Sequence, residues 1–127
     1  MKKYAVLISF GFLLFSIDQA LADAARGEKF FNDVQGGNCR TCHLVDDTKL
    51  IGPGLGNLMV RHSEEWVRQF ITDPQKTWET DHPETIELKK RVRATNRQFA
   101  RCKKAPMTAE IENDLIEYFK TLKLDAQ

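Results

Sequence analysis

This 127-residue chain has little excess charge of either sign, since 19 Lys and Arg are met by 18 Asp and Glu. Bulk attraction to a nucleic acid is therefore excluded as its organising principle. Long apolar runs are missing too. The longest, residues 5–15, covers about half of the ~20 residues that cross a bilayer. There is no internal repeat, no low-complexity stretch, and no alternating run long enough to specify a strand. Cysteine is scarce, with three in all. These absences argue against a transmembrane protein, a multidomain enzyme and a nucleic-acid binder. Disorder is disfavoured as well, because eight Phe and two Trp supply bulk for a small core.

What is present begins with an export signal. Lys2 and Lys3 precede the apolar run, and Ala20-Leu21-Ala22 forms a small-residue exit, so residues 1–22 read as a cleaved secretory signal. Cleavage after Ala22 removes Lys2, Lys3 and Asp18, leaving 17 basic and 17 acidic residues in a 105-residue domain, 23–127. That length suits one domain. The expected location is the periplasm or an equivalent non-cytoplasmic compartment, with no membrane anchor after cleavage.

All three cysteines, Cys39, Cys42 and Cys102, lie in the exported part. An odd number in an oxidising compartment leaves one thiol to be explained. Cys39-Arg40-Thr41-Cys42-His43 is the C-x-x-C-H pattern of covalent haem attachment. Two thiols three positions apart reach both vinyl groups of one porphyrin, and the adjacent imidazole then lies over the iron. The competing readings are a redox disulfide and half of a zinc site. No βαβ pattern surrounds Cys39, and no second close pair of ligands supports zinc.

The remaining periodicity is helical. A first helix is expected over residues 24–32 with Phe30 and Phe31 inward, broken by Gly36-Gly37. An irregular stretch follows over 46–57. Ser63 is placed to cap a helix that carries Glu64 and Glu65 in its first turn and Trp66, Val67, Phe70 and Ile71 on its inner face. Asp73-Pro74 is expected to end it. Pro83 opens another helix over 84–94, with Ile86, Leu88 and Val92 as its apolar positions. Thr108 caps the last helix, in which Ile111, Leu115, Tyr118, Phe119 and Leu122 recur at spacings of three and four. The expected fold class is all-α, a small helical domain wrapped around a flat prosthetic group.

This order of features resembles the class I monohaem cytochromes c over nearly the whole exported chain. Gly27 with Phe31, and Leu115 with Tyr118, match the places where that family's first and last helices pack. Gly52-Pro53-Gly54-Leu55 and Arg61 match its Gly-Pro-x-Leu segment and the Arg eight residues beyond the Pro. The resemblance implies one haem c, bound covalently through Cys39 and Cys42, with His43 as proximal ligand. It implies that the Pro53 carbonyl accepts a hydrogen bond from His43 Nδ1, which fixes the tautomer and strengthens the imidazole as a ligand. It also implies that Arg61 faces a haem propionate, the alternative being a solvated surface charge. Leu55, Val67, Phe70 and Ile71 are expected to pack on the haem. Trp66 is expected in the core or reaching a propionate.

The chain departs from the short family members between Pro74 and Cys102. The extra stretch, about 79–101, begins a run in which Lys89, Lys90, Arg91, Arg93, Arg97, Arg101, Lys103 and Lys104 occur without an acid among them. Such a run is usually a solvated face, though it also suits guidance of an acidic partner.

The family usually places a methionine on the iron's sixth position. Met59 falls on the proximal side of the pattern, where core packing is expected. Met107 directly precedes the cap Thr108, in the apolar place that suits a hydrophobic staple. Counting back from the cap, the resemblance puts the ligand at Cys102, which also accounts for the odd thiol. Arg101, Lys103 and Lys104 are expected to favour its thiolate. Met107, His82, His62 and an open position are the alternatives, and a free thiol or intermolecular bridge is the plain reading of Cys102.

His/Cys ligation resembles that of two groups of exported cytochromes: the small paired cytochromes of anaerobic ammonium oxidisers, and the haem subunits of thiosulfate-oxidising complexes. Three functions follow as expectations. The first is low-potential electron transfer, with a redox partner protein or a second small cytochrome as heterodimer. The second is binding or sensing of nitric oxide or carbon monoxide, and the third is a subunit role in sulfur-compound oxidation. The chain is expected to be a carrier or ligand-binding protein, with no catalytic residues of its own.

Overall fold

The computed structural model describes residues 4–124, with side chains from residue 18 onward. Lys2, Lys3 and the side chains of the apolar run of the expected signal lie outside the described residues. Six α-helices and one 3-10 turn occur among the described residues, and no strand does: α1 Tyr4–Asn32, the turn Cys39–Thr41, α2 Leu58–Arg61, α3 Glu64–Thr72, α4 Pro74–Trp78, α5 Pro83–Arg91 and α6 Ala109–Thr121. Among the described residues no helix is long and apolar enough to cross a membrane.

Helix α1 does not start at residue 24 as expected. It runs back to Tyr4, since no Pro interrupts residues 4–32 and the isolated Gly11 does not break it. Its other end is where Gly36-Gly37 predicts it. The Gly37 N–H returns to the Phe30 carbonyl at 3.1 Å and the Asn38 N–H to Asp33 at 2.9 Å.

The first and last helices make the core. A Cβ on Gly27 would lie 2.0 Å from the Asp114 carbonyl oxygen and 2.9 Å from Tyr118 Cβ, so only glycine admits this approach of α1 to α6. Phe31 then packs against Tyr118 (ring centroids 5.6 Å apart) and edge-on to Phe119 (6.3 Å). Leu115 and Ile116 are fully buried beside them. Arg26 closes the crossing with two parallel bonds to the Asp114 carboxylate, at 2.9 and 2.8 Å.

Three caps hold the middle of the chain. Ser63 Oγ accepts from the Trp66 N–H at 3.3 Å, and Thr108 Oγ1 accepts from Ile111 at 3.2 Å, both as expected. Asp73-Pro74 ends α3 but does not end helical structure. The Asp73 carboxylate caps α4, accepting from Lys76 at 3.1 Å, and Pro74 sits at its first position.

The long insertion is anchored to the core. Trp78, 2 % exposed, donates its indole N–H to the Arg97 carbonyl at 2.8 Å. The Arg97 guanidinium and Lys89 ammonium lie 4.6 and 5.2 Å from its ring centroid. Helix α5 ends at Arg91, short of the expected residue 94, and Arg93 in the left-handed region (φ 53°) turns the chain away. Its buried residue is Thr85, whereas Ile86 is exposed. Thr85 Oγ1 accepts from Trp66 Nε1 at 2.9 Å and donates to the Thr77 carbonyl at 3.2 Å. A polar lock, which apolar periodicity does not reveal, thus seats this helix.

Gly27→Ala is expected to destabilise the protein by ~3 kcal/mol, because the clash is with backbone and only helix displacement relieves it. Chemical denaturation of the variant checks this. A midpoint equal to that of the parent protein would show that α1 and α6 are not held at this distance.

Candidate functional site

The end of α1 delivers the attachment motif. Asn38 adopts a left-handed conformation (φ 48°) and its Oδ1 accepts from Thr41 Oγ1 at 2.5 Å, starting the turn Cys39–Thr41. The N–H groups of Cys42 and His43 both bond to the Cys39 carbonyl at 3.0 Å. One compact turn therefore presents two thiols and an imidazole. All three cysteines are free, so the C-x-x-C pair is not closed as a disulfide.

The irregular loop after the motif orients the imidazole. Gly52 N–H donates to the Cys42 carbonyl at 2.8 Å, and Leu55 N–H to Leu44 at 2.9 Å. This return brings the Pro53 carbonyl to 2.8 Å from His43 Nδ1. A carbonyl only accepts, so Nδ1 carries the proton and Nε2 is left as the nitrogen with a free lone pair. Gly52 is required by proximity: a Cβ there would sit 2.4 Å from His43 Cε1.

These residues border an apolar cleft with about 730 Å³ of free space, counted out to solvent. The sequence-predicted residues Cys39, His43, Pro53, Leu55, Arg61, Trp66, Val67, Phe70, Ile71 and Cys102 all line it, with Phe31 and Phe119 from the core. Cys42, next to His43 in the chain, is not among the lining residues, and its charge adds to the rise in the Cys102 pKa. Burial, and then the charge of Cys102, push the Cys39 thiol up to about 11.

Met107 is not on the cleft. It is half-buried against the hydrophobic core, as is Met59. His82 is used as the cap of α5, where its Nδ1 accepts from the Glu84 N–H at 3.3 Å. Cys102 is exposed in the open cleft, on an irregular segment between α5 and α6. Its thiol pKa is raised, first by desolvation and then by Cys42. That corrects the expectation that Arg101, Lys103 and Lys104 favour the thiolate. Those side chains are exposed and are not among the groups that set the shift.

The structure narrows two readings that the sequence left open. Trp66 lines the cleft, but its indole N–H is given to Thr85, so it has no donor left for a propionate. Arg61 is no free surface charge. Its Nη1 donates to the Gly56 carbonyl and to Asp47 Oδ1 at 3.2 Å, and Nη2 donates to Gly54 at 3.3 Å. Its Nε is buried without a partner. Desolvation and then the neighbouring Arg91 lower the pKa of this guanidinium. Sequence analysis did not place Leu58, Leu88 or Arg91 on the cleft, and it offered His62 only as an alternative iron ligand. The place of Leu58 three residues before Arg61 was the available signal for the first. The other two needed the fold of the insertion.

The site fits a covalent haem. It offers two thiols at the required spacing, an imidazole with Nδ1 engaged, apolar walls for the porphyrin faces, and an orphaned buried donor on Arg61 for a carboxylate. Zinc fits poorly, since no three His, Cys, Asp or Glu side chains converge on one point among the described residues.

Gly52→Ala is expected to displace the His43 ring, break its bond to Pro53 and destabilise the protein by ~2 kcal/mol. Thermal unfolding and the imidazole proton resonances check this. An unshifted Nδ1–H signal would show that the loop yields instead.

A family model described as cytochrome c matches residues 24–123, which takes in the motif, the cleft and the insertion. Comparison with curated proteins and with solved structures returns no match. With that match over most of its length, a helical fold and a C-x-x-C-H turn opening onto an apolar cleft, the chain belongs to the cytochrome c family, whose members carry covalently bound haem c and transfer electrons.

Proposed function

We propose that this cytochrome c is an exported, low-potential electron carrier whose single haem takes His43 and Cys102 as axial ligands and is fixed by Cys39 and Cys42. The observation that carries the reading is that Cys102 lines the cleft along with Cys39 and His43, whereas Met107 and Met59 do not line it and are half-buried against the core. When bound, the haem supplies one-electron exchange at its iron. The chain supplies the environment. His43 is held in one tautomer by Pro53, and apolar walls exclude water. As a thiolate, Cys102 would donate electron density and favour the ferric state, lowering the potential relative to a methionine. Residues 1–22 support export. The exposed members of the basic run, Lys90, Arg91, Arg93, Arg101, Lys103 and Lys104, support an acidic redox partner or a second small cytochrome as heterodimer.

Cys102→Met tests the ligand. The expected result is a ferric sulfur–iron charge-transfer band in the far red and a higher midpoint potential, by a sizeable part of the ~0.8 V that axial ligands span. Met107→Leu should leave the spectrum unchanged and cost less than ~1.5 kcal/mol of stability. A ferric spectrum insensitive to Cys102→Met but altered by Met107→Leu would reverse the assignment.

A second reading, binding of nitric oxide or carbon monoxide by the ferrous protein, is favoured by the exposure of Cys102 and its place on a segment without helix. A ligand held so loosely is readily displaced once protonated. Carbon monoxide added to reduced protein should shift the Soret band, faster in Cys102→Ala than in the parent. No shift in either protein would leave electron transfer alone.

A further inference from the structure

His62 is the buried titratable group that the reading above does not use. It is 6 % exposed and follows directly on α2. Its ring stacks on Trp66, with centroids 4.5 Å apart and planes 23° from parallel. On one side it lines the haem cleft. On the other it lines a more polar groove shared with Ser63, Glu64, Lys120 and Lys123. Phe119 alone also borders both, so His62 is the one ionisable side chain that connects the cleft to the groove. Its Nδ1 is buried and has no hydrogen-bond partner, standing 3.5 Å from Glu84 Oε1. The Glu84 carboxylate is pinned by the Ser63 N–H (2.6 Å) and hydroxyl (2.7 Å), and His82 Nδ1 lies 3.7 Å from its other oxygen.

We infer that His62, held between the Glu84 carboxylate and the haem cleft, is a redox-linked proton site that binds a proton from solvent when the haem accepts an electron and releases it on oxidation. The balance is simple. The redox partner supplies one electron, the groove supplies one proton, and the buried region gains no net charge. The surroundings lower the proton affinity of the imidazole in the absence of added charge. Desolvation disfavours the cation most. Glu84 and Glu87 on α5 favour it, whereas Arg61 at the end of α2 and Arg91 at the end of α5 oppose it. Glu64, Lys120 and Lys123 lie along the groove. One added negative charge at the iron, acting through a largely apolar cleft, shifts such a group toward its protonated form.

The sign follows. Proton affinity is higher in the ferrous protein, so the midpoint potential falls as pH rises between the ferric and ferrous pKa values of His62, and is level outside that window. At least a threefold difference in affinity is expected, which is a total fall of about 28 mV at ~59 mV per tenfold.

Potentiometry of the haem-loaded protein across pH, with proton NMR of the His62 imidazole in both oxidation states, tests this. The expected results are a sloped window in the parent protein and an imidazole that titrates at higher pH when reduced. His62→Gln should flatten the window, and Glu84→Gln should move it to lower pH. A flat parent profile, or one imidazole titration midpoint shared by both states, overturns the inference. If His62→Gln fails to fold, the parent imidazole titration still decides. Cys102→Met separates this inference from the ligand assignment: the slope should survive that change. A slope that vanishes there and persists in His62→Gln belongs to the axial thiol, and His62 has no such role.

Discussion

The approach of two backbones at Gly27 is the constraint on which the rest of the molecule depends. With the Asp114 carbonyl in the space a Cβ would need, α1 and α6 lie close enough for Phe31 to wedge between Tyr118 and Phe119. Phe31 and Phe119 are also part of the cleft. The contact that closes the core thus sets the position of one wall of the site, and the turn that follows α1 carries Cys39, Cys42 and His43 to its edge. Any change that moves the crossing moves the attachment motif with it.

The site departs from ordinary packing in an informative way. Buried polar groups in folded proteins nearly always have partners. The two buried side-chain atoms without one among the described residues, Arg61 Nε and His62 Nδ1, belong to neighbouring residues on the wall of the same cleft. Elsewhere the polar bookkeeping is closed by specific bonds: Trp66 to Thr85, Trp78 to the Arg97 carbonyl, Asp114 to Arg26. Incomplete satisfaction confined to one place is what a site that receives carboxylates and charge should display.

The insertion between α4 and α6 shows how charge and structure combine. Its cations are not one solvated face. Lys89 and Arg97 flank the Trp78 ring, and Arg91 reaches the cleft beside Arg61, where it competes electrostatically with that guanidinium. Cys102 follows directly on this stretch. Its distance from His43 in the chain is long, yet Thr85 and Trp78 tie the intervening segment to α3 and α4.

Much was legible beforehand because it is local. The C-x-x-C-H spacing, the caps Ser63 and Thr108, the break at Gly36-Gly37 and the three- and four-residue periodicity of α6 are each decided by a few consecutive residues. The family places of Gly27, Pro53 and Arg61 were legible too, and in the structure they meet Asp114, His43 and the carbonyls of Gly54 and Gly56. Less legible were the second helix after Asp73, the polar seat of Thr85, the direction of the Cys102 pKa shift and the placement of His62. Each depends on what another part of the chain brings near. The sequence by itself determined a small helical protein with a covalent haem motif, since both are written in short-range spacing and side-chain type. Only the tertiary structure decided which side chains share the cleft and which donors go unpaired there, because desolvation and pairing are properties of the packed surroundings, and those are assembled from residues far apart in the chain.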